Sequence, residues 1–125
     1  MKSSCGAILY TESADGQYGI ILGMESNFWL PFKGGVKKGE TEEEAAKREI
    51  YEETCRLVTA DKVDLRHTFN TKHKCYHIGL CYADYSIIDK FNKIVVHEQE
   101  KECKEKKCLK FFPLDRIKFN SNIHD

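Results

Sequence analysis

The sequence predicts a single α/β domain over residues 1–125. Two segments rich in strand-forming residues, 5–10 and 18–24, flank a polar stretch with Asp15-Gly16, a combination typical of a β-hairpin. A capped helix is predicted after this hairpin, and further strand patterns follow the helix. Strands on both sides of a helix indicate the α/β class.

A glycine-rich segment separates the hairpin from the helix. Residues 28–30 are Phe, Trp and Leu, and they lead into residues 33–39, which hold three glycines. Glycine permits unusual backbone angles and a close approach of the backbone to a ligand. We therefore expect both segments to be loop and not strand.

The helix is predicted to begin at Thr41 and to run for about three turns. Thr41 and Glu44 have the spacing of a capping box, in which each side chain bonds the other residue's backbone N–H. Good helix formers fill residues 45–53, and Thr54 and Cys55 then weaken the pattern.

The second half of the chain alternates apolar and charged segments. Residues 97–107 are ambiguous between a loop and a solvated helix. The other predicted elements are strands at 63–69 and 75–85 around a turn at 70–74, short strands at 93–96 and 109–112, and a closing helix at 114–119.

Charge and hydropathy exclude several classes of function. Twenty Lys and Arg balance twenty Asp and Glu, so no overall basic field favours bulk binding to nucleic acid or to an anionic membrane. The apolar runs are far shorter than the roughly 20 residues of a membrane span. The first residues lack the pattern of a secretory signal. We expect a cytoplasmic protein with no membrane partner, and nuclear access stays open.

Six cysteines are present without a CxxC pair, and we expect them to be reduced. His73, Cys75, His77 and Cys81 have side chains of the zinc-binding types. A half-buried strand is the favoured interpretation of this segment, since three of the four would simply share one strand face.

Three glutamates of the predicted helix should converge on one side. Glu49, Glu52 and Glu53 stand at i, i+3 and i+4, within about one third of the helix circumference. A solvated acidic face is the alternative, but on a helical wheel the three border Ala45 and Ala46, which should face the sheet. Clustered carboxylates at the edge of a core suit Mg²⁺ or Mn²⁺.

The same segment resembles the Nudix box, GX5EX7REUXEEXGU with U a bulky aliphatic residue. Gly34, Glu40 and the run Arg-Glu-Ile-Tyr-Glu-Glu at 48–53 match it at fixed spacing. Cys55 stands where glycine is usual and Arg56 where an aliphatic residue is usual. The resemblance implies the Nudix fold, a mixed β-sheet sandwiched between α-helices, and metal-dependent hydrolysis of a phosphoanhydride bond.

The resemblance also implies roles for individual residues. Glu49, Glu52 and Glu53 become the catalytic metal ligands for Mg²⁺ or Mn²⁺, and Glu49 could also act as a base on the attacking water. Further metal ligands would be the backbone carbonyls of the glycine pair, Gly34 and Gly35. Glu40 and Arg48 become a structural pair that locks the helix to the loop. A separate general base is sought among four later glutamates, Glu98, Glu100, Glu102 and Glu105.

A substrate class is suggested by residues 33–36 and 72–76. They resemble the diphosphoinositol polyphosphate phosphohydrolases, which also act on dinucleoside polyphosphates and, in some members, on capped RNA. A positive rim is predicted to bind the small polyphosphorylated substrate. Its side chains are Lys33, Lys37, Lys38, Arg66, Lys72, His73 and Lys74, joined by the backbone of Gly34 and Gly35.

Aromatic residues offer a way to choose between substrates. An aromatic sandwich at the site would favour a substrate with a base, and a bare cationic bowl would favour an inositol pyrophosphate. We expect Phe28, Trp29, Phe69 and Tyr76 to pack in the core or at the loop entrance.

Other functions stay open at this stage. Within the same chemistry, the alternatives are hydrolysis of an mRNA cap or of a nucleoside triphosphate, so capped RNA stays open as a partner. A noncatalytic phosphate-binding regulatory domain is the alternative of another class, although the intact acidic triad argues against it. Zero net charge disfavours an RNA-binding adapter. The oligomeric state is left open.

Overall fold

The computed structural model describes residues 2–98 and 105–116. In these residues the chain forms a seven-stranded sheet, two α-helices and one 3-10 turn. In chain order the elements are β1 (Lys2–Glu12), β2 (Tyr18–Glu25), β3 (Phe28–Leu30), β4 (Phe32–Gly35), α1 (Glu42–Glu53), β5 (Asp64–Asn70), β6 (Lys74–Tyr82), α2 (Ile87–Glu98), β7 (Leu109–Pro113) and the 3-10 turn Leu114–Arg116.

The long strand β1 organises the sheet. It pairs antiparallel with β2 and β4 and parallel with β6. Strands β3 and β7 pair antiparallel with β2, and β5 pairs antiparallel with β6. The parallel β1–β6 pair requires a long crossover, which here contains α1. The predicted α/β class with a mixed sheet is confirmed.

Helix α1 follows the prediction closely. The Thr41 hydroxyl accepts from the Glu44 N–H at 3.1 Å, and the Glu44 carboxylate accepts from the Thr41 N–H at 2.8 Å. After the helix, Cys55 and Arg56 have φ values of 53° and 68°. The expected left-handed exit is therefore present, and it holds a residue with a Cβ where glycine would be free of strain.

Two segments expected to be loop are strands. Phe28–Leu30 pairs with β2, and Phe32–Gly35 pairs with β1, where Gly34 lies opposite Cys5. For β4 the prediction was wrong because glycine is disfavoured in strands by propensity, whereas here Gly34 allows a close approach to the neighbouring helix. For β3 the three residues pair with β2, a contact that the local pattern did not indicate.

Two expectations for the second half of the chain also need correction. The predicted strand at 93–96 lies inside α2, because Ile87, Phe91 and Val95 recur at helical spacing and pack into the core. The predicted helix at 114–119 is described only to residue 116, where it forms the 3-10 turn. The strands predicted at 63–69, 75–85 and 109–112 are confirmed with shifted ends.

The core fills the space between the helices and one face of the sheet. Helix α1 contributes Ala45, Ala46 and Ile50, and β1 contributes Cys5 and other apolar side chains on the same face. The first strand and β4 both contact α1. Among the helices of the described residues, none is long and apolar enough to cross a membrane.

The cysteines differ from the prediction at one position. Cys5, Cys75, Cys81 and Cys108 are free thiols. Cys55 is disulfide-bonded, so the expectation of a fully reduced chain was wrong there. Sequence spacing does not reveal which cysteines meet in space. Cys103 lies outside the described residues.

Candidate active site

A glutamate of α1 lies directly against the backbone of β4. A Cβ added at Gly34 would lie 2.2 Å from Glu49 Cδ and 2.3–2.4 Å from its two carboxylate oxygens. Only glycine therefore leaves room for this carboxylate. The next residue, Gly35, has open space at the same position, with no atom of the described residues within 4 Å of an added Cβ.

The Arg48 guanidinium braces this arrangement. Its Nε and Nη2 donate to the two carboxylate oxygens of Glu40 at 2.7 and 3.0 Å, and Nη2 also donates to the Gly35 carbonyl at 2.8 Å. Its Nη1 donates to Glu49 at 2.8 Å and to Glu52 at 3.3 Å. The hydrogen bonds from Arg48 lower the pKa of Glu40 to about 2, so this carboxylate is ionised at neutral pH.

The three helix glutamates differ sharply in exposure. The side chain of Glu52 is 48% exposed, that of Glu49 is 13% exposed and that of Glu53 is 4% exposed. A cavity of about 390 Å³ opens beside Glu52, and its lining includes Tyr51. Both carboxylate oxygens of Glu53 are buried and have no hydrogen-bond partner among the described residues. Burial raises the pKa of Glu53, and the nearby ammonium of Lys106 opposes that rise.

Two residues of the site, Glu25 and Lys106, had no functional assignment from sequence, whereas Glu105 was one of the candidate bases. Glu25 lies at the end of β2. One carboxylate oxygen from each of Glu25, Glu53 and Glu105 lies within 4.8 Å of the other two. Lys106 is buried beside them, with Nζ 3.0 Å from Glu25 and 3.6 Å from Glu53. No sequence signal marked Glu25 or Lys106, because each stands in a segment that reads as ordinary polar surface.

One of the four candidate bases lies at this cluster. This base is Glu105. Glu100, Glu102 and the side chain of Glu98 lie outside the described residues.

The donors of this cluster fit a hard divalent cation. All are carboxylate oxygens, the ligand type that Mg²⁺ and Mn²⁺ prefer. An unpartnered, nearly buried carboxylate such as Glu53 is costly to maintain unless a cation compensates it. The residues present are therefore able to hold a divalent metal.

The predicted basic rim is only partly assembled. Lys33 precedes Gly34 in β4, and its Nζ lies 5.4 Å from the centre of the Tyr76 ring. Three other predicted members, Lys72, His73 and Lys74, are exposed at the β5–β6 turn. Lys74, at the end of this turn, pairs with Lys2 at the start of β1. Strand β4 ends beside the same part of β1, where Gly35 pairs with Ser4.

The remaining predicted cations contact other groups or solvent. Arg66 pairs with Asp64 of its own strand, and both side chains are substantially exposed. Lys37 and Lys38 are exposed in the loop between β4 and α1, where the Lys37 N–H donates to Glu40 at 2.9 Å.

The aromatic residues do not pack as expected. Phe69 stacks on Tyr76 with ring centres 4.8 Å apart and planes 15° apart, and Phe69 is 40% exposed. Trp29 contacts Phe112 edge-on and is half-buried, and Phe28 is exposed. Packing in the core, one of the two expected placements, is therefore not observed. The strand register places Trp29, Phe69 and Tyr76 on the sheet face opposite the core.

Strand alternation separates the two halves of the site. Gly34 and its β1 partner Cys5 face α1, so the adjacent residues Lys33 and Gly6 face the other way. Tyr76 pairs with Ser4 and therefore lies on the same face as Lys33. The carboxylates and the aromatic stack thus lie on opposite faces of the sheet, close to the end of β4.

The zinc arrangement considered for the β6 segment does not form among the described residues. His77 Nε2 lies 2.6 Å from a Glu42 oxygen and 3.4 Å from Cys75 Sγ. Cys81 is four residues farther along β6, and His73 is exposed in the preceding turn.

Comparison with known proteins agrees with this architecture. The family model of the NUDIX domain matches residues 3–125. No curated protein sequence matches the chain significantly.

Solved structures share the fold at low sequence identity. An Ap4A hydrolase of C. elegans in a binary complex is 22% identical, with a TM-score of 0.63 over 92% of this chain and 82% of that one. A mutT/nudix family protein from Listeria innocua is 19% identical, with a TM-score of 0.65 over 90% and 78%. The NUDIX domain of Shewanella oneidensis NrtR, complexed with ADP ribose, is 17% identical, with a TM-score of 0.63 over 90% and 73%.

The fold, the spacing of the box residues and the family model lead to one assignment. The chain belongs to the Nudix family of hydrolases.

Proposed function

We propose that the protein hydrolyses a phosphoanhydride bond in a polyphosphorylated nucleotide, with Mg²⁺ or Mn²⁺ held by Glu49, Glu52 and Glu53. One observation carries the proposal. Glu53 is a nearly buried carboxylate without a hydrogen bond, beside other carboxylates and one turn from a glutamate seated against Gly34. Such an arrangement is costly unless it binds a cation.

The chain's own residues support the chemistry of hydrolysis. A bound divalent cation would neutralise charge on the phosphate oxygens and acidify water. The oxygen of water bonds to phosphorus, the bridging P–O bond breaks, and the leaving phosphate keeps the electron pair. We assign the proton of that water to Glu49, which Arg48 holds by one oxygen at 2.8 Å. Glu105 is a second candidate for this role because it offers a carboxylate oxygen beside Glu53.

A substrate that carries a base is favoured by the aromatic stack. Phe69 presents an exposed ring on Tyr76, and Lys33 lies over Tyr76. Aromatic rings are a platform for bases, and an inositol ring offers nothing to stack. The stack and the carboxylates lie on opposite faces of the sheet near the end of β4, so only a substrate with an extended phosphate chain could reach both. Of the two substrate classes suggested by sequence, we therefore favour a dinucleoside polyphosphate. The fold shared with an Ap4A hydrolase is in line with this choice.

A diphosphoinositol polyphosphate is the second candidate. Three basic residues of the β5–β6 turn, Lys72, His73 and Lys74, are exposed at the end of the sheet where β4 finishes. Clustered cations of this kind favour a ligand with many phosphates.

Product analysis tests the proposal. The protein would be incubated with Mg²⁺ and a panel of diadenosine polyphosphates, an inositol pyrophosphate, nucleoside triphosphates and capped RNA. We expect cleavage of the diadenosine compounds and at least a 100-fold loss of kcat in Glu52→Gln and Glu53→Gln, because each removes an anionic ligand while leaving the helix in place.

A control on the same helix separates ligand loss from general charge effects. Glu43→Gln makes the same chemical change on the side of α1 that pairs with Lys47, and it should retain activity. Cleavage of capped RNA alone would replace the favoured substrate. Phosphate binding without turnover of any compound would favour the noncatalytic regulatory domain. Normal turnover in both triad variants would overturn the assignment of the site.

A further inference from the structure

A buried lysine lies at the acidic cluster. The side chain of Lys106 is 1% exposed, and its ammonium donates to Glu25 at 3.0 Å and to the Pro31 carbonyl at 2.9 Å. Lysine is almost never fully buried unless it is paired. The lysine stem crosses β2 at Gly23, where an added Cβ would lie 2.5 Å from Lys106 Cδ. The strand thus has a glycine where the buried side chain passes.

The cluster around this lysine has more negative than positive charge. Glu25, Glu53 and Glu105 offer oxygens within 4.8 Å of one another, and among the described residues Lys106 is the cation that pairs with Glu25 and Glu53. Its ammonium lies 3.6 Å from Glu53, too far for a normal hydrogen bond, so both oxygens of Glu53 stay without a hydrogen-bond partner in the part of the chain that the structure describes. If all three carboxylates were ionised around a bound ion, one ammonium would leave two negative charges, which one divalent ion would balance.

We propose that Lys106 is a resident cation that occupies the Glu25 side of the cluster and so limits the number of divalent ions there. Glu25 is held by the ammonium and is withheld from metal, whereas Glu53 keeps its oxygens for a divalent ion. Lys106 therefore acts on the metal site through Glu25 and is a positioning residue. The inference rests on the proposed metal role of Glu53 and goes beyond it, because it concerns how many ions the cluster accepts.

Counting bound Mn²⁺ by electron paramagnetic resonance tests this inference. Lys106→Met keeps the length of the side chain and removes its charge. We expect this variant to bind one more Mn²⁺ per chain than the wild type. We also expect its melting temperature to fall in chelator and to recover in Mn²⁺, because the ion then compensates Glu25 and Glu53. The double variant with Glu25→Gln should return to the wild-type ion count.

Two single variants complete the design. Lys107→Met removes the same charge from the exposed neighbouring residue and should leave the ion count unchanged. Glu25→Gln alone should also keep the wild-type count, because Glu25 is not a metal ligand in the presence of Lys106. If Lys106→Met fails to fold in Mn²⁺, the Mn²⁺ count of Glu25→Gln tests whether Glu25 is withheld from metal.

The outcomes are distinct from those for turnover. An unchanged ion count in folded Lys106→Met, or the loss of an ion in Glu25→Gln, would overturn the inference. An additional ion in Lys106→Met that disappears in the double variant would support it. Failure of the wild type to hydrolyse any phosphoanhydride would contradict the proposed function and leave the Mn²⁺ count to decide this inference.

Discussion

The contact between Gly34 and Glu49 makes a quantitative prediction for Gly34→Ala. The new Cβ would lie 2.2 Å from Glu49 Cδ, whereas carbon atoms in contact lie about 3.5 Å apart. The carboxylate would therefore have to move by about 1.3 Å, and its 2.8 Å bond with Arg48 would be disturbed. Because a displacement of about 1 Å in a catalytic group can cost about 100-fold, we expect kcat/KM to fall by about 100-fold, or about 2.7 kcal/mol.

The neighbouring glycine provides a matched comparison. An added Cβ at Gly35 meets nothing within 4 Å, so Gly35→Ala should lose far less activity. Steady-state hydrolysis of the best substrate of the panel would be compared for both variants, with thermal unfolding as a check on folding. Neither glycine has a φ in the left-handed region, so both variants should fold. Equal activity in the two variants would refute the reasoning.

Three further predictions concern stability and specificity. The low pKa of Glu40 means that its ion pair with Arg48 stabilises the fold above about pH 4.5 and is lost as the pH falls towards 2. The melting temperature of Glu40→Gln should therefore lie below that of the wild type at pH 7, with a gap that closes towards pH 2; a constant gap would count against this pair. At the helix exit, Cys55→Gly should be more stable than Cys55→Ser by about 1 kcal/mol in chemical denaturation, since both lack the disulfide of Cys55 and only glycine is unstrained at a φ of 53°. Equal stability would show that the exit is not strained. Replacing Lys72, His73 and Lys74 by Gln should raise KM more for an inositol pyrophosphate than for a nucleoside triphosphate, most strongly at low salt. An effect independent of salt would contradict a charge-based role.

Local sequence was a good guide where one helical turn decides the outcome. The capping box of Thr41 and Glu44 forms as predicted because both partners lie within three residues. The left-handed exit at Cys55 also follows from a local pattern. Propensity was a poor guide for β4, since glycine lowers strand propensity whatever the strand packs against.

Aromatic positions show the limit of a sequence interpretation. Phe69 and Tyr76 stack because the β5–β6 register pairs them, and a single-residue shift would place them on opposite faces. Hydrophobicity alone indicated burial for both. The choice between a substrate with a base and one without it therefore depends on register.

The sequence by itself determined the α/β class, the helix and the i, i+3 and i+4 positions of Glu49, Glu52 and Glu53 on it. Helix geometry fixes i, i+3 and i+4 positions without reference to the rest of the chain. Only the tertiary structure decided which carboxylate is buried and which cation lies beside it. Lys106 and Glu25 are 81 residues apart in sequence, and their contact exists only because the chain after α2 returns along β2. Burial is a property of all neighbours together, so no local pattern could have revealed it.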